Sequence, residues 1–220
     1  MTLHPQRSPT DTVKLKRLHA RIRACTRCVA AGYLEQAAPV VAGAIRDRVM
    51  IVGQAPGVVE LTTRVPFSGR AGAELRRWLA RAGIPEDELP YRTAITKCFP
   101  GKAASGAGDR RPSPPEIALC GPWLDAELAL VRPEIIVLIG TLAIDRLWGK
   151  APLSDVVGRS KRSPVLDDAL LIPLPHPSGA SRWLNDPRNK ERLERGLRLL
   201  GRAWRALPPV DSAGRVPPRR

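Results

Sequence analysis

The chain has 220 residues, 43% of them hydrophobic, enough for one domain with its own core and no need of disulfide staples. Its formal net charge of +15 is a footprint for a polyanion, and nucleic acid is the commonest one. No apolar run is long enough to span a bilayer and the polar start has no signal-peptide core, so the sequence reads as a cytoplasmic, membrane-free protein.

In chain order, residues 1–10 are expected to be disordered and 11–206 to form the domain. Asp11 to Ala24 reads as a short basic helix with Val13, Leu15, Leu18 and Ile22 as its apolar stripe and His19 on its outer side. Four apolar runs bounded by Gly or Pro predict buried strands at Val49–Val52, Thr93–Thr96, Ile135–Ile139 and Leu170–Leu174. Helical patterns lie between and after them, at Ala71–Ala82, Pro115–Val131, Thr141–Leu147 and Pro187–Ala206. Strands alternating with helices predict an α/β fold, with a mostly parallel four-stranded sheet covered on both faces. Residues 207–220 are proline-rich and basic, a composition expected to be disordered. The last twenty residues carry five arginines against one aspartate, so most of the positive excess belongs to the body of the chain.

Open parallel sheets bind ligands beyond the carboxyl ends of their strands, and here those ends run into chemically loaded loops. They are Gly53-Gln54-Ala55-Pro56-Gly57, Lys97-Cys98-Phe99-Pro100-Gly101 and His176-Pro177-Ser178. Cys25 and Cys28 form a C-x₂-C pair, and Cys98 and Cys120 follow far downstream. In a reducing compartment four such thiols read as ligands, for zinc or for an iron–sulfur cluster since spacing alone does not choose, the alternative being four unrelated buried thiols. Of three histidines, His4 falls in the polar start and His19 on a helix. Only His176 stands at a strand end, either as a loop-capping residue or as a donor to a developing anion. Pro66-Phe67-Ser68-Gly69-Arg70-Ala71-Gly72 leads into a helix, where backbone N–H groups and Arg70 suit a phosphate. Phe67 is either a core residue or a platform for a base. No Walker loop and no dinucleotide fingerprint is present.

Together these residues resemble the uracil-DNA glycosylase superfamily, in particular its iron–sulfur, family 4-like branch. The resemblance spans about residues 20 to 205 and is carried by the C-x₂-C start, GQAPG, PFSGRAG, KCFPG, the PWLDAEL helix, the VLIG strand and the HPS loop. It implies a three-layer α/β/α sandwich and a monomeric glycosylase that hydrolyses the N-glycosidic bond of uracil in single- or double-stranded DNA, with other deaminated bases in scope. It also implies a 4Fe–4S cluster on Cys25, Cys28, Cys98 and Cys120, zinc being the second choice, and a base site of Gly53, Gln54, Phe67, Ala94 and His176. The catalytic set expected is His176 with Gln54 at the base, and Glu60 to orient water or offset sugar charge. Ser68, Arg70, Ser178, Arg182 and Trp183 are expected on the DNA, with Arg182 and Trp183 filling the gap in the stack, although Trp183 suits plain packing equally.

Three positions depart from the family pattern. Gln54 stands where an acidic residue is usual, Leu61 replaces an aspartate, and Ala94 replaces the asparagine that reads the uracil edge. A related subgroup captures DNA covalently through a histidine in the loop after strand two; the segment Gly101 to Pro114 contains none. The rival classes are a non-catalytic damage-binding protein of the same fold and a Cys₄-zinc nucleic-acid module.

Overall fold

A strand buried on both faces needs apolar side chains at every position, and three of the strands have them. The computed structural model, which describes residues 8–106, 108–178 and 182–208, has strands β1 Val49–Gly53, β2 Tyr91–Ala94, β3 Ile135–Ile139, β4 Lys161–Ser163 and β5 Ala169–Leu174. The helices are α1 Pro9–Arg23, α2 Arg27–Ala30, α3 Val58–Thr63, α4 Arg70–Arg81, α5 Pro114–Val131, α6 Thr141–Leu147, α7 Leu153–Val156 and α8 Pro187–Ala206. The sheet order is β2-β1-β3-β5-β4, parallel throughout except for the antiparallel edge pair β4–β5.

Alternation along the strands divides the core in two. Met50, Val52, Ile136, Leu138 and Leu171 face α1, α5 and α6, where Leu15, Ile22, Leu124, Leu128 and Ile144 pack. Val49, Ile51, Ile135, Val137, Ile139, Ile172 and Leu174 face α4 and α8, against Leu75, Trp78, Leu193, Leu197 and Leu200. The result is the expected three-layer α/β/α sandwich. Two helix starts are written in the sequence: Ser8–Asp11 and Ser113–Glu116 form capping boxes, each followed by proline at the first helical position.

The sheet has five strands where the sequence pattern predicts four. The extra one, Lys161-Arg162-Ser163, is a three-residue edge strand whose first two residues are exposed, so it lacks the apolar run that marks the others. The second strand also sits two residues earlier than expected. Its pairing with β1 ends at Gly53↔Ala94, after which Ile95 and Thr96 donate N–H groups to Gly53 and Gln54 carbonyls as the chain turns away. Helix α1 starts at Pro9, so residues 8–10 belong to the fold; 1–7 and 209–220 lie outside the described residues. No described helix is long and apolar enough to cross a membrane.

His19 is not on the outer side of α1. It is buried, with Nε2 2.7 Å from the Tyr91 hydroxyl, which in turn donates to Glu127. Burial, helped by Arg23 and Lys97, pushes its pKa down from 6.5 to about 4. The unfolded chain therefore takes up a proton on this ring before the native state does, and the stability it contributes is full above pH 6.5 and lost as pH falls toward about 4. Urea denaturation at stepped pH should show a steeper loss across this window for the wild type than for His19→Gln.

Candidate active site and cysteine cavity

Strand order reverses beside β1: β2 lies on one side of it and β3 on the other, with α4 and α5 on opposite faces of the sheet. The loops at the carboxyl ends must therefore diverge and leave a crevice. A cavity of ≈ 640 Å³ occupies it. Gln54–Gly57 after β1, Thr93 and Ala94 of β2, Gly140 and Thr141 after β3, and His176 and Ser178 after β5 all line it. Phe67, Glu60 and Arg70 close one side, and Lys102, Asp109 and Arg110 another.

His176 has a fixed tautomer. The backbone N–H of Ser178 donates to Nδ1 at 3.2 Å, and the Ser178 hydroxyl lies 2.9 Å from the same nitrogen. Nδ1 therefore carries no proton, and the donor left to a neutral ring is Nε2–H. Burial lowers the pKa of His176, while Asp109 raises it in the weaker, opposite sense. The ring is thus neutral near pH 7, a donor without being a cation.

Glu60 is placed differently from the expectation of a carboxylate free for water or sugar. It is buried, and it accepts N–H bonds from Ser68 (2.8 Å) and Gly69 (3.1 Å) on Oε1 and from Gly57 (3.0 Å) on Oε2. Those three bonds tie the GQAPG loop to the PFSG loop, so its shown work is bracing. The brace fixes Phe67, whose φ of 57° is left-handed and costly for an aromatic residue. Arg76 donates to the Phe67 carbonyl at 3.2 Å and Arg92 to that of Pro66 at 3.4 Å. The ring lies so close to Gly53 that a Cβ there would sit 2.8 Å from Phe67 Cζ.

A second cavity lies where the chain leaves β2. Cys25, Cys28, Cys98 and Cys120 all line it, with Thr96, Arg27 and Glu116. N–H groups point at two of the sulfurs, Lys97 N at Cys120 Sγ (3.2 Å) and Trp123 Nε1 at Cys25 Sγ (3.3 Å). Burial pushes Cys28 up to about 11 and Cys98 up to about 12. Thr96 Oγ1 is buried with no hydrogen-bond partner among the described residues, an orphan hydroxyl beside a ring of thiols. No three described His, Cys, Asp or Glu side chains converge on a single-ion site; the cysteines surround a space instead.

Of the residues singled out from sequence, Gln54, Glu60, Phe67, Arg70, Ala94, His176 and Ser178 are brought together on one cavity. Gly53 backs Phe67, and Ser68 bonds Thr63 through its hydroxyl at 2.6 Å. Arg182 and Trp183 stand apart from the lining, on a single 3₁₀ turn at 182–185. Residues 179–181, between Ser178 and Arg182, lie outside the described residues. Sequence reasoning missed Asp109 and the Arg110–Glu116 ion pair. That pair is bidentate at 2.7 Å and joins a wall of one cavity to a wall of the other. Only the capping-box spacing of Ser113 and Glu116 hinted that this glutamate had work to do.

The family model of the uracil DNA glycosylase superfamily matches residues 40–200. This chain belongs to that superfamily. Within it the chain is 32% identical over 159 residues to a type-4 uracil-DNA glycosylase of Thermotoga maritima, covering 72% of this chain and 78% of that protein. A type-4 uracil-DNA glycosylase of Pyrobaculum aerophilum is 32% identical over 150 residues, or 66% and 72% of the two chains. One from Sulfurisphaera tokodaii is 26% identical over 193 residues, or 84% and 83%. Chain and superfamily therefore share the α/β scaffold, and the GQAPG, KCFPG and HPS loops all lie within or beside the matched region.

Gly72 makes the Phe67 loop possible. A Cβ at that position would lie 1.7 Å from the Phe67 carbonyl oxygen, a backbone clash that no rotamer relieves. Gly72→Ala should lower stability by about 1–3 kcal/mol, as overpacking does. It should also displace Phe67, seen as a loss of activity larger than the shift in melting temperature explains.

Proposed function

We propose that this chain is a base-excision repair glycosylase that hydrolyses the N-glycosidic bond of uracil in DNA, working as a single copy. The observation that carries the reading is His176, a neutral imidazole with Nδ1 tied down, in a crevice that also holds Phe67 and the GQAPG amides. As the bond breaks, negative charge grows on the base and positive charge on the deoxyribose. A donor set before the reaction stabilises that anion without reorganising. Phe67 would stack on the extruded base, and the amides around Gly53 and Gln54 would meet its edge. Gln54 has no proton-accepting carboxylate and can only orient through its amide. The relatives named above are uracil-DNA glycosylases, which supports uracil as the base. The Ala94 side chain offers neither donor nor acceptor, so selection rests on backbone groups, cavity shape and ease of extrusion, and other deaminated bases stay in scope.

The DNA would follow the basic face at the mouth. Arg70 is exposed at the start of α4, with no ion pair among the described residues. Ser68, Ser178, Arg182 and Trp183 are the remaining contacts proposed for the backbone and the vacated stack.

Cys25, Cys28, Cys98 and Cys120 would hold a 4Fe–4S cluster. Four thiols around a space, N–H donors on two sulfurs and an orphan hydroxyl fit a group with several sulfur acceptors better than one zinc ion. Such a cluster supplies a cross-link among the α1–α2 junction, β2 and α5, and no step of the hydrolysis passes through it.

Incubation with a uracil-containing oligonucleotide followed by alkali should cut the strand at uracil; tight binding without scission would make the chain a damage-binding protein instead. His176→Ala should lower turnover by about a hundredfold or more with DNA affinity little changed. Cys98→Ser should lose iron and the broad absorption at about 400 nm, and should melt lower, since it opens a cross-link between distant segments. Full iron retention with unchanged melting would overturn the ligand assignment.

A further inference from the structure

Hydrolysis at C1′ needs an anion near the sugar and an acceptor for the water's proton, and the crevice shows a shortage of both. Gln54 is neutral, and Glu60 is committed to three backbone N–H groups. Among the described residues one other carboxylate, Asp109, lines the cavity, and it comes from the segment whose role the sequence left blank. The stretches 101–106 and 108–110 come back against each other: Lys102 and Asp109 form an antiparallel bridge, Arg110 N donates to Gly101 O at 3.0 Å, and Ala103 N to Gly108 O at 3.1 Å. The turn holds Asp109 against the GQAPG loop. Its Oδ2 lies 3.1 Å from where a Cβ on Gly57 would stand, with Glu60 Oε2 3.0 Å from the same point. Lys102 Nζ holds the other oxygen, Oδ1, at 2.8 Å, and no described group bonds Oδ2. Arg110, the next residue, is clamped to buried Glu116, so the turn is anchored to α5 from behind.

We infer that Asp109 is the catalytic carboxylate of this glycosylase, its Oδ2 receiving the proton of the attacking water and its charge facing the sugar. The inference rests on the glycosylase reading above. In the step, the water oxygen bonds to C1′ and the C1′–N1 bond breaks. The bonding pair leaves on uracil, as an anion held by His176 Nε2–H. The water's proton passes to Asp109 Oδ2, and from there to solvent or to the departing base. Lys102 fixes the carboxylate without occupying the reactive oxygen. A carboxylate also opposes DNA binding on so basic a protein, so a merely DNA-holding role would not favour an acid at this position.

The test is single-turnover cleavage of a uracil-containing duplex, with DNA affinity measured separately. Asp109→Asn keeps the size and the Oδ1 contact to Lys102 but removes the charge. It should lower the cleavage rate by about a hundredfold or more, the usual effect of losing a general base, with affinity equal or tighter. Lys102→Ala, which frees the turn but keeps the carboxylate, should cost far less in rate. In the double variant Asp109→Asn with Gln54→Glu, a carboxylate restored from the facing loop should recover part of the rate. Wild-type cleavage with Asp109→Asn equally fast would overturn the assignment while leaving the glycosylase reading intact. Equal losses in Lys102→Ala and Asp109→Asn, with a lowered melting temperature in both, would also overturn it and make Asp109 a structural tie. A wild type inactive on uracil would instead remove the reading on which the inference rests.

Discussion

Lys97 is the point on which both cavities hang. Its ammonium is buried and bonds Thr93 Oγ1 at 2.7 Å, the Ala94 carbonyl at 2.6 Å and Glu127 at 2.7 Å. Glu127 is equally buried and accepts from Tyr91 and Thr93 besides. Two charges taken out of water are tolerable only when every proton and lone pair finds a partner, so this cluster admits a single arrangement of β2 against α5. The consequences run in both directions along the chain. Thr93 and Ala94 are set as a wall of the crevice, and the next residues deliver Cys98 and the Lys97 N–H to the cysteine cavity. Such a pair adds little net stability, yet removing either partner alone would leave the other charge buried and uncompensated.

The two cavities are therefore parts of one scaffold. Arg110 lines one and Glu116 the other, and their bidentate contact holds the glutamate carboxyl at about 2, well below the usual range, chiefly through the Arg110 hydrogen bonds. The cysteine cavity braces the N-terminal helices against α5, where the Arg27 guanidinium lies over the Trp123 ring and donates to the Leu119 carbonyl. In this arrangement a group bound by the thiols would act on the crevice through the position of β2 and of the turn at 101–110.

Much of this was legible in sequence because it depends on local pattern. Unbroken apolar runs gave β1, β3 and β5, helical periodicity gave α4, α5, α6 and α8, and the loaded loops fell where a parallel sheet must put them. What stayed hidden depends on partners far apart in the chain. Nothing local distinguishes Lys97 or Glu127 from the charged residues that cover ordinary surfaces, and a lysine is the last residue expected in a core. His19 was misplaced for the same reason, its partner Tyr91 lying 72 residues away. Glu60 was placed in the right neighbourhood, but its bonds to Gly57, Ser68 and Gly69 were hidden, since backbone donors leave no trace in sequence. Asp109 sat in a polar loop whose fold depends on a lysine seven residues back.

The left-handed Phe67 has a consequence for how damage is found. Its ring is set before any DNA arrives, held by Gly53, Gly72, Arg76 and the Glu60 brace. In the role proposed for it, the entropy of ordering this platform is spent during folding, and a visiting base meets a surface that need not adapt. A rigid receptor of that kind cannot pull a well-paired base out of the helix; it captures one that has already swung open. Selection then passes largely to the DNA itself, and a uracil facing guanine, which opens more often than a matched pair, presents itself to the enzyme simply by its own instability.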